Sequence, residues 1–238
     1  MSLIIAINTY EGIVMASDSR STGSLTQAYP DGSIRHALGS QITDTTYKTF
    51  LINDKIGIST CGDGSINGIP ISKYIEHFIS EKTNQESTIE TISQDLVTFF
   101  DSIAPCLNLH FLVAGYQDYK IFINHIKLEN KNAGLPVIEK INSGSPGAVW
   151  DGEFLILSKL LTPMYIKNQD DYIPLPSNVI NWQYFTLQDA IDFAKYAIDV
   201  TIKTMAFQNC VKTVGGPIDI LVIKHDRAFW IAHKELHE

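Results

Sequence analysis

Residues 2–20 read SLIIAINTYEGIVMASDSR. Leu3–Asn8 and Ile13–Ser17 are short apolar runs rich in β-branched residues, and the Thr9–Gly12 stretch between them is polar and ends in glycine. Short apolar runs bounded by turn residues are the mark of buried strands. The stretch is therefore expected to form a hairpin. With the turn centred on Tyr10-Glu11, antiparallel pairing sets residue 2 opposite residue 19. Ser2, Asp18 and Arg20 then gather at one end of a sheet.

Outward from this hairpin the chain alternates between blocks of strands and blocks of helices. Residues 19–44 are polar and glycine-containing, with a Pro-Asp-Gly turn at Pro30–Gly32, and read as a long loop or an excursion of short strands. Tyr47–Asn53 and Lys55–Cys61 read as a second hairpin. Two amphipathic helices follow, over Ile69–Lys82 and Thr88–Ile103, the second opening on a Ser or Thr cap. Strands return at Leu107–Tyr116, Tyr119–Leu128 and Pro136–Asn142. Helical patterns are read over Ala148–Leu161 and Leu187–Phe207, and a last hairpin over Ile218–Ile223 and Ala228–His233. Blocks of antiparallel strands alternating with helix pairs predict an α+β fold of four layers, an αββα sandwich, rather than βαβ units. No repeat or linker divides the chain, so residues 1–238 are expected to form a single domain.

Composition limits the partners. Hydrophobic residues make up 45% of the chain and charged residues 18%, which suits a large core. The net charge of −8 argues against nucleic acid, which needs a Lys/Arg excess. No apolar stretch approaches the roughly 20 residues of a membrane span, and the N-terminus lacks the basic start of a signal peptide. Cys61, Cys106 and Cys210 are an odd, widely spaced set, suited to a reducing compartment and hence a cytoplasmic location. Cys61 has no histidine near it in sequence and reads as a packed strand cysteine. The seven histidines show no metal-ligand spacing, and no cofactor motif is evident.

The chemistry gathers at the first hairpin. If Met1 is trimmed, Ser2 supplies both a hydroxyl and a free α-amine, whose ordinary pKa of about 7.7–8.0 suits a general base. A hydroxyl beside such an amine is an activated nucleophile. Four stretches then match a known family in order. GIVMASDSRST (12–22) resembles the Asp-x-Arg strand of proteasome β-type subunits, and YKTFLINDKIGISTCGDG (47–64) resembles the family's next hairpin with its lysine. Asn142–Ser145 resembles its Gly-Ser-Gly turn, and TVGGPIDILVI (213–223) the Gly-Gly strand entry of bacterial proteasome-like proteins.

The resemblance implies an N-terminal-nucleophile (Ntn) hydrolase with the αββα fold, and it assigns roles. Ser2 falls at the nucleophile, Asp18 at the carboxylate partnering the catalytic lysine, and Lys48 at that lysine. Gly62 falls at the oxyanion-hole glycine and Ser143 at a serine that orients the N-terminus, with Arg20 in support. Four positions depart from the pattern. Serine replaces the usual threonine at position 2, Asp63 stands where a second glycine is common, and a second carboxylate and a companion serine are replaced by Val211 and Val214. The resemblance implies a peptidase acting on peptides or unfolded proteins, assembled into homo-oligomeric rings, with an unfoldase partner unidentified. Two alternatives keep the fold: a silent scaffold subunit with Met1 retained, or an amidase acting on a small molecule.

Overall fold

The computed structural model describes residues 2–104, 107–129, 136–141, 144–169, 171–176 and 178–235. Strands β1 (Leu3–Asn8) and β2 (Ile13–Ser17) form the expected hairpin. Ile4 pairs with Ser17 and Asn8 with Ile13, the register in which residue 2 faces residue 19. Next come β3 (Ser21–Ala28) and β4 (Ile34–Thr43), one long hairpin over residues 21–43, then β5 (Thr49–Ile52) and β6 (Ile56–Gly62). Short strands β7 (Ser65–Ile66) and β8 (Ile69–Pro70) lead into helices α1 (Ile71–Lys82) and α2 (Ile89–Ile103). Strands β9 (Leu109–Gln117), β10 (Lys120–Leu128), β11 (Val137–Ile141) and β12 (Gly147–Gly152) follow, then α3 (Leu155–Leu161). A hairpin of β13 (Tyr165–Asn168) and β14 (Asp171–Pro174) precedes α4 (Leu187–Phe207), and β15 (Asp219–Ile223) and β16 (Ala228–Ala232) close the chain. The described residues form four α-helices and a set of antiparallel sheets.

Two five-stranded sheets dominate, ordered β12-β1-β2-β15-β16 and β11-β10-β9-β6-β5. Every residue of β1 and β2 is buried, and the reason lies in the two-residue period of a strand. Leu3, Ile5, Ile7, Val14 and Ala16 pack on α3 and α4, against Leu157, Ala194 and Ile198. The intervening Ile4, Ala6, Ile13 and Met15 pack on the other sheet, against Leu112 and Ala114 of β9. Both faces are covered, so the strands read as continuous apolar runs rather than alternating ones. The far side of the second sheet is covered by α1 and α2, where Ile75, Phe78, Leu96 and Phe100 meet Ile58, Phe111 and Val113. Each fully buried side chain of this size contributes about 1.5–3 kcal/mol of hydrophobic stabilisation.

The chain departs from the sequence reading in several places. Ala148–Leu161 is not one helix: Gly147–Gly152 is strand β12 on the edge of the first sheet, and only Leu155–Leu161 is helical. The β-branched and aromatic Val149-Trp150 pair suits a strand. Gly152 ends it at φ +92°, where a Cβ would sit 1.8 Å from the Ser2 carbonyl oxygen. Helix α1 starts at Ile71 rather than Ile69, because the residue before Pro70 is driven towards extended backbone. The β9–β10 turn is Asp118-Tyr119, both at positive φ, one residue later than expected. The α2 capping box pairs Thr88 with Thr91. Among the described residues no helix is long and apolar enough to cross a membrane.

Candidate functional site

Asp18 directly follows β2, and its side chain is wholly buried. A carboxylate there requires donors, and the chain supplies four. Oδ1 accepts from Leu3 N (3.1 Å) and Lys48 Nζ (2.8 Å), and Oδ2 from Arg20 N (3.1 Å) and Gly215 N (3.0 Å). The two strand ends of the first hairpin and the Gly-Gly turn before β15 are thus tied to one side chain.

Lys48 enters from the segment just before β5. Its ammonium also donates to the Arg20 carbonyl oxygen at 2.5 Å. Burial pulls the Lys48 ammonium below its usual pKa, with the charge of Asp18 opposing that shift. The cation is therefore desolvated and held by a single carboxylate, a poised rather than a relaxed charge.

Ser2 is 6% exposed, and its carbonyl oxygen accepts from Glu153 N at 2.8 Å. It lines an open cleft together with Arg20, Lys48, Thr60, Cys61 and Gly62. Asp18 lies behind this wall, in contact with Lys48 and the Leu3 amide. Gly62 ends β6 at φ +111°, and a Cβ there would lie 2.1 Å from the Asn108 carbonyl oxygen, so the position admits only glycine. Asp63 fastens the next turn to the start of β9. Its amide donates to Asn108 O (2.8 Å), and its carboxylate accepts from Asn108 N (2.9 Å).

The fold therefore brings Ser2, Asp18, Lys48 and Gly62 together. Arg20 joins them through its backbone. Its guanidinium turns to Asp44 in a two-pronged ion pair of 2.7 and 2.8 Å, and so braces the loops rather than facing Ser2. Met1 and Ser143 lie outside the described residues. Val214 is buried in the core beside α4, and Val211 is 41% exposed.

Two features were not visible in the sequence reading. Thr60 lines the cleft with a buried hydroxyl that has no hydrogen-bond partner among the described residues. Its signal is weak in sequence, since threonine is ordinary in a strand. Cys61 lies directly across from His110 in the β6–β9 ladder, with Asp151 of the other sheet close by. Neither residue is near Cys61 in sequence, so linear spacing could not reveal the group.

Family models and curated proteins yield no match to the chain. A solved structure of the Anbu (Gly-1) mutant from Hyphomicrobium sp. strain MC1 resembles it with a TM-score of 0.59 and 15% sequence identity, covering 98% of this chain and 87% of that chain. At that identity the likeness is one of fold.

Proposed function

We propose that this chain is a proteasome-like Ntn hydrolase that cleaves amide bonds, with peptides as substrates. The observation that carries the reading is the buried Lys48–Asp18 pair, placed beside Ser2 in an open cleft. The likeness to Anbu, a bacterial proteasome-like protein, supports the same reading at the level of fold. We read the three hydrophobic clusters as the interfaces of a four-layer αββα sandwich, with helices outside and the two sheets facing each other, forming one domain.

In this reading Met1 is removed and Ser2 becomes the N-terminus. The Ser2 hydroxyl attacks the scissile carbonyl carbon while its own α-amine takes the proton. The nearby Lys48 cation disfavours a second positive charge and so keeps the amine neutral before attack. The Gly62 N–H donates to the oxyanion of the tetrahedral intermediate, where a preorganised donor acts most strongly. The C–N bond breaks, the leaving amine takes the proton, and an acyl-Ser2 ester remains. Water, deprotonated by the freed α-amine, hydrolyses that ester and restores the site. The hydroxyl of Thr60, which has no partner among the described residues, is a ready contact for the substrate backbone. Subunits assemble into homo-oligomeric rings that enclose the clefts.

The scaffold alternative draws on Val211 and Val214, which stand where the family pattern has a carboxylate and a serine. Incubation with an electrophilic peptide probe, followed by intact-mass measurement, separates the readings. Loss of Met1 with one probe on residue 2 supports the hydrolase, and an unlabelled chain that retains Met1 supports the scaffold. A small-amide specificity would appear as labelling by short amide-like probes but not by peptides.

A further inference from the structure

A second polar group lies beside the cleft and takes no part in the proposed hydrolysis. Asp151 of β12 is buried between the sheets. Its Oδ2 accepts from His110 Nδ1 of β9 at 2.6 Å and from His125 Nε2 of β10, and its Oδ1 accepts from Gly152 N at 2.6 Å. Cys61 Sγ, a ring nitrogen of His110 and a carboxylate oxygen of Asp151 lie within 4.8 Å of one another.

One ring nitrogen of this group is left without a partner. His110 and His125 each direct a ring nitrogen at the same carboxylate oxygen. The other nitrogen of His110, Nε2, is buried without a partner among the described residues. Among those residues no lysine or arginine is ion-paired with Asp151. Thiol sulfur, imidazole and carboxylate thus converge at one place between the two sheets.

We infer that Cys61, His110 and Asp151 form a binding site for a divalent transition-metal ion, with Zn²⁺ as the best fit. A thiolate–imidazole–carboxylate set is the mixed donor chemistry that Zn²⁺ accepts, whereas Mg²⁺ and Ca²⁺ prefer oxygen alone. Zn–S bonds of about 2.3 Å and Zn–N bonds of about 2.0–2.1 Å place donors of one ion roughly 3–4 Å apart. The present separations need only small side-chain shifts to meet that. On binding, the thiol proton leaves to solvent and sulfur ligates as thiolate. Without the ion, burial and the charge of Asp151 push the Cys61 thiol well above its usual pKa, so it is a neutral group rather than a nucleophile.

His125 is a positioning residue here: it orients the ligating carboxylate, the common outer partner of a metal site. Because Cys61 and His110 come from one sheet and Asp151 from the edge strand of the other, the ion clips the two sheets together. Cys61 also lines the cleft, and His110 is one-fifth exposed, which gives the ion a way in. The inference is independent of whether Ser2 is a nucleophile.

The test is a Co²⁺ titration of the reduced full chain carrying Cys106→Ser and Cys210→Ser, so that Cys61 is the sole thiol. One Co²⁺ per chain is expected, with a near-ultraviolet sulfur-to-cobalt charge-transfer band that Zn²⁺ abolishes. Cys61→Ser in that background should lose the band, and His125→Ala should keep it while weakening affinity by about 10–100-fold. Absence of the band in folded protein, or its survival in Cys61→Ser, overturns the inference. If the double variant does not fold, the difference in band between the wild type and Cys61→Ser decides instead.

Discussion

Lys48 and Asp18 form a 2.8 Å ion pair whose side chains are 5% and 0% exposed. A buried pair of this kind adds little net stability, but removing one partner strands the other. The two sides are unequal here. Without Lys48, the Asp18 carboxylate keeps three backbone N–H donors, from Leu3, Arg20 and Gly215. Without Asp18, those three amides lose their acceptor, and the buried ammonium loses its counter-charge and keeps only the Arg20 carbonyl oxygen. Asp18→Ala is therefore expected to cost about 3–5 kcal/mol in urea unfolding, and Lys48→Ala distinctly less. Lys48→Ala should still abolish hydrolysis. The reverse order of stabilities, or a fully active Lys48→Ala protein, contradicts this assignment.

Gly152 links the fold to the cleft. A methyl group there would collide with the Ser2 carbonyl oxygen, and the backbone is at φ +92°. Gly152→Ala should lower stability by about 1–3 kcal/mol and displace Ser2. Thermal unfolding and probe labelling should both fall. A variant with normal labelling would show that Ser2 is not placed by this contact.

Thr60 separates binding from stability. Its hydroxyl is buried and has no partner among the described residues, so Thr60→Val removes a polar group with no hydrogen bond to lose there. Unfolding should be unchanged or slightly more resistant, while KM rises as the contact to substrate is lost. A large stability loss with unchanged KM would contradict both halves.

Acid stability should track the Arg20–Asp44 pair. The Arg20 hydrogen bond holds the Asp44 carboxyl below its ordinary value of 3.8. A depressed carboxyl binds fewer protons folded than unfolded, so its contribution is complete above that value and drains away as pH falls through the lower folded one. Asp44→Asn should be less stable near neutrality and show a flatter decline below about pH 4. Parallel pH–stability curves for the two proteins would remove Asp44 from the acid response.

The first hairpin and α4 were legible because local signals sufficed. The Thr9–Gly12 turn sets the pairing of β1 with β2, and the apolar stripe of α4 matches its capped span from Leu187 to Phe207. Strand β12 was missed because Val149 and Trp150 allow either period over so short a run, and its pairing with β1 is a long-range choice. The Asp18–Lys48 pair was legible through family pattern, but its four donors were not, since Gly215 reaches it from the far end of the chain. The Cys61–His110–Asp151 group joins three strands of two sheets. No spacing along the chain encodes that meeting.

The most direct measurement is the intact mass of the protein before and after an electrophilic peptide probe, with the labelled residue identified by peptide mapping. The hydrolase reading predicts a chain lacking Met1, one probe on Ser2, and no labelling in Lys48→Ala. A chain that retains Met1, or a probe attached elsewhere with Ser2 free, would contradict it.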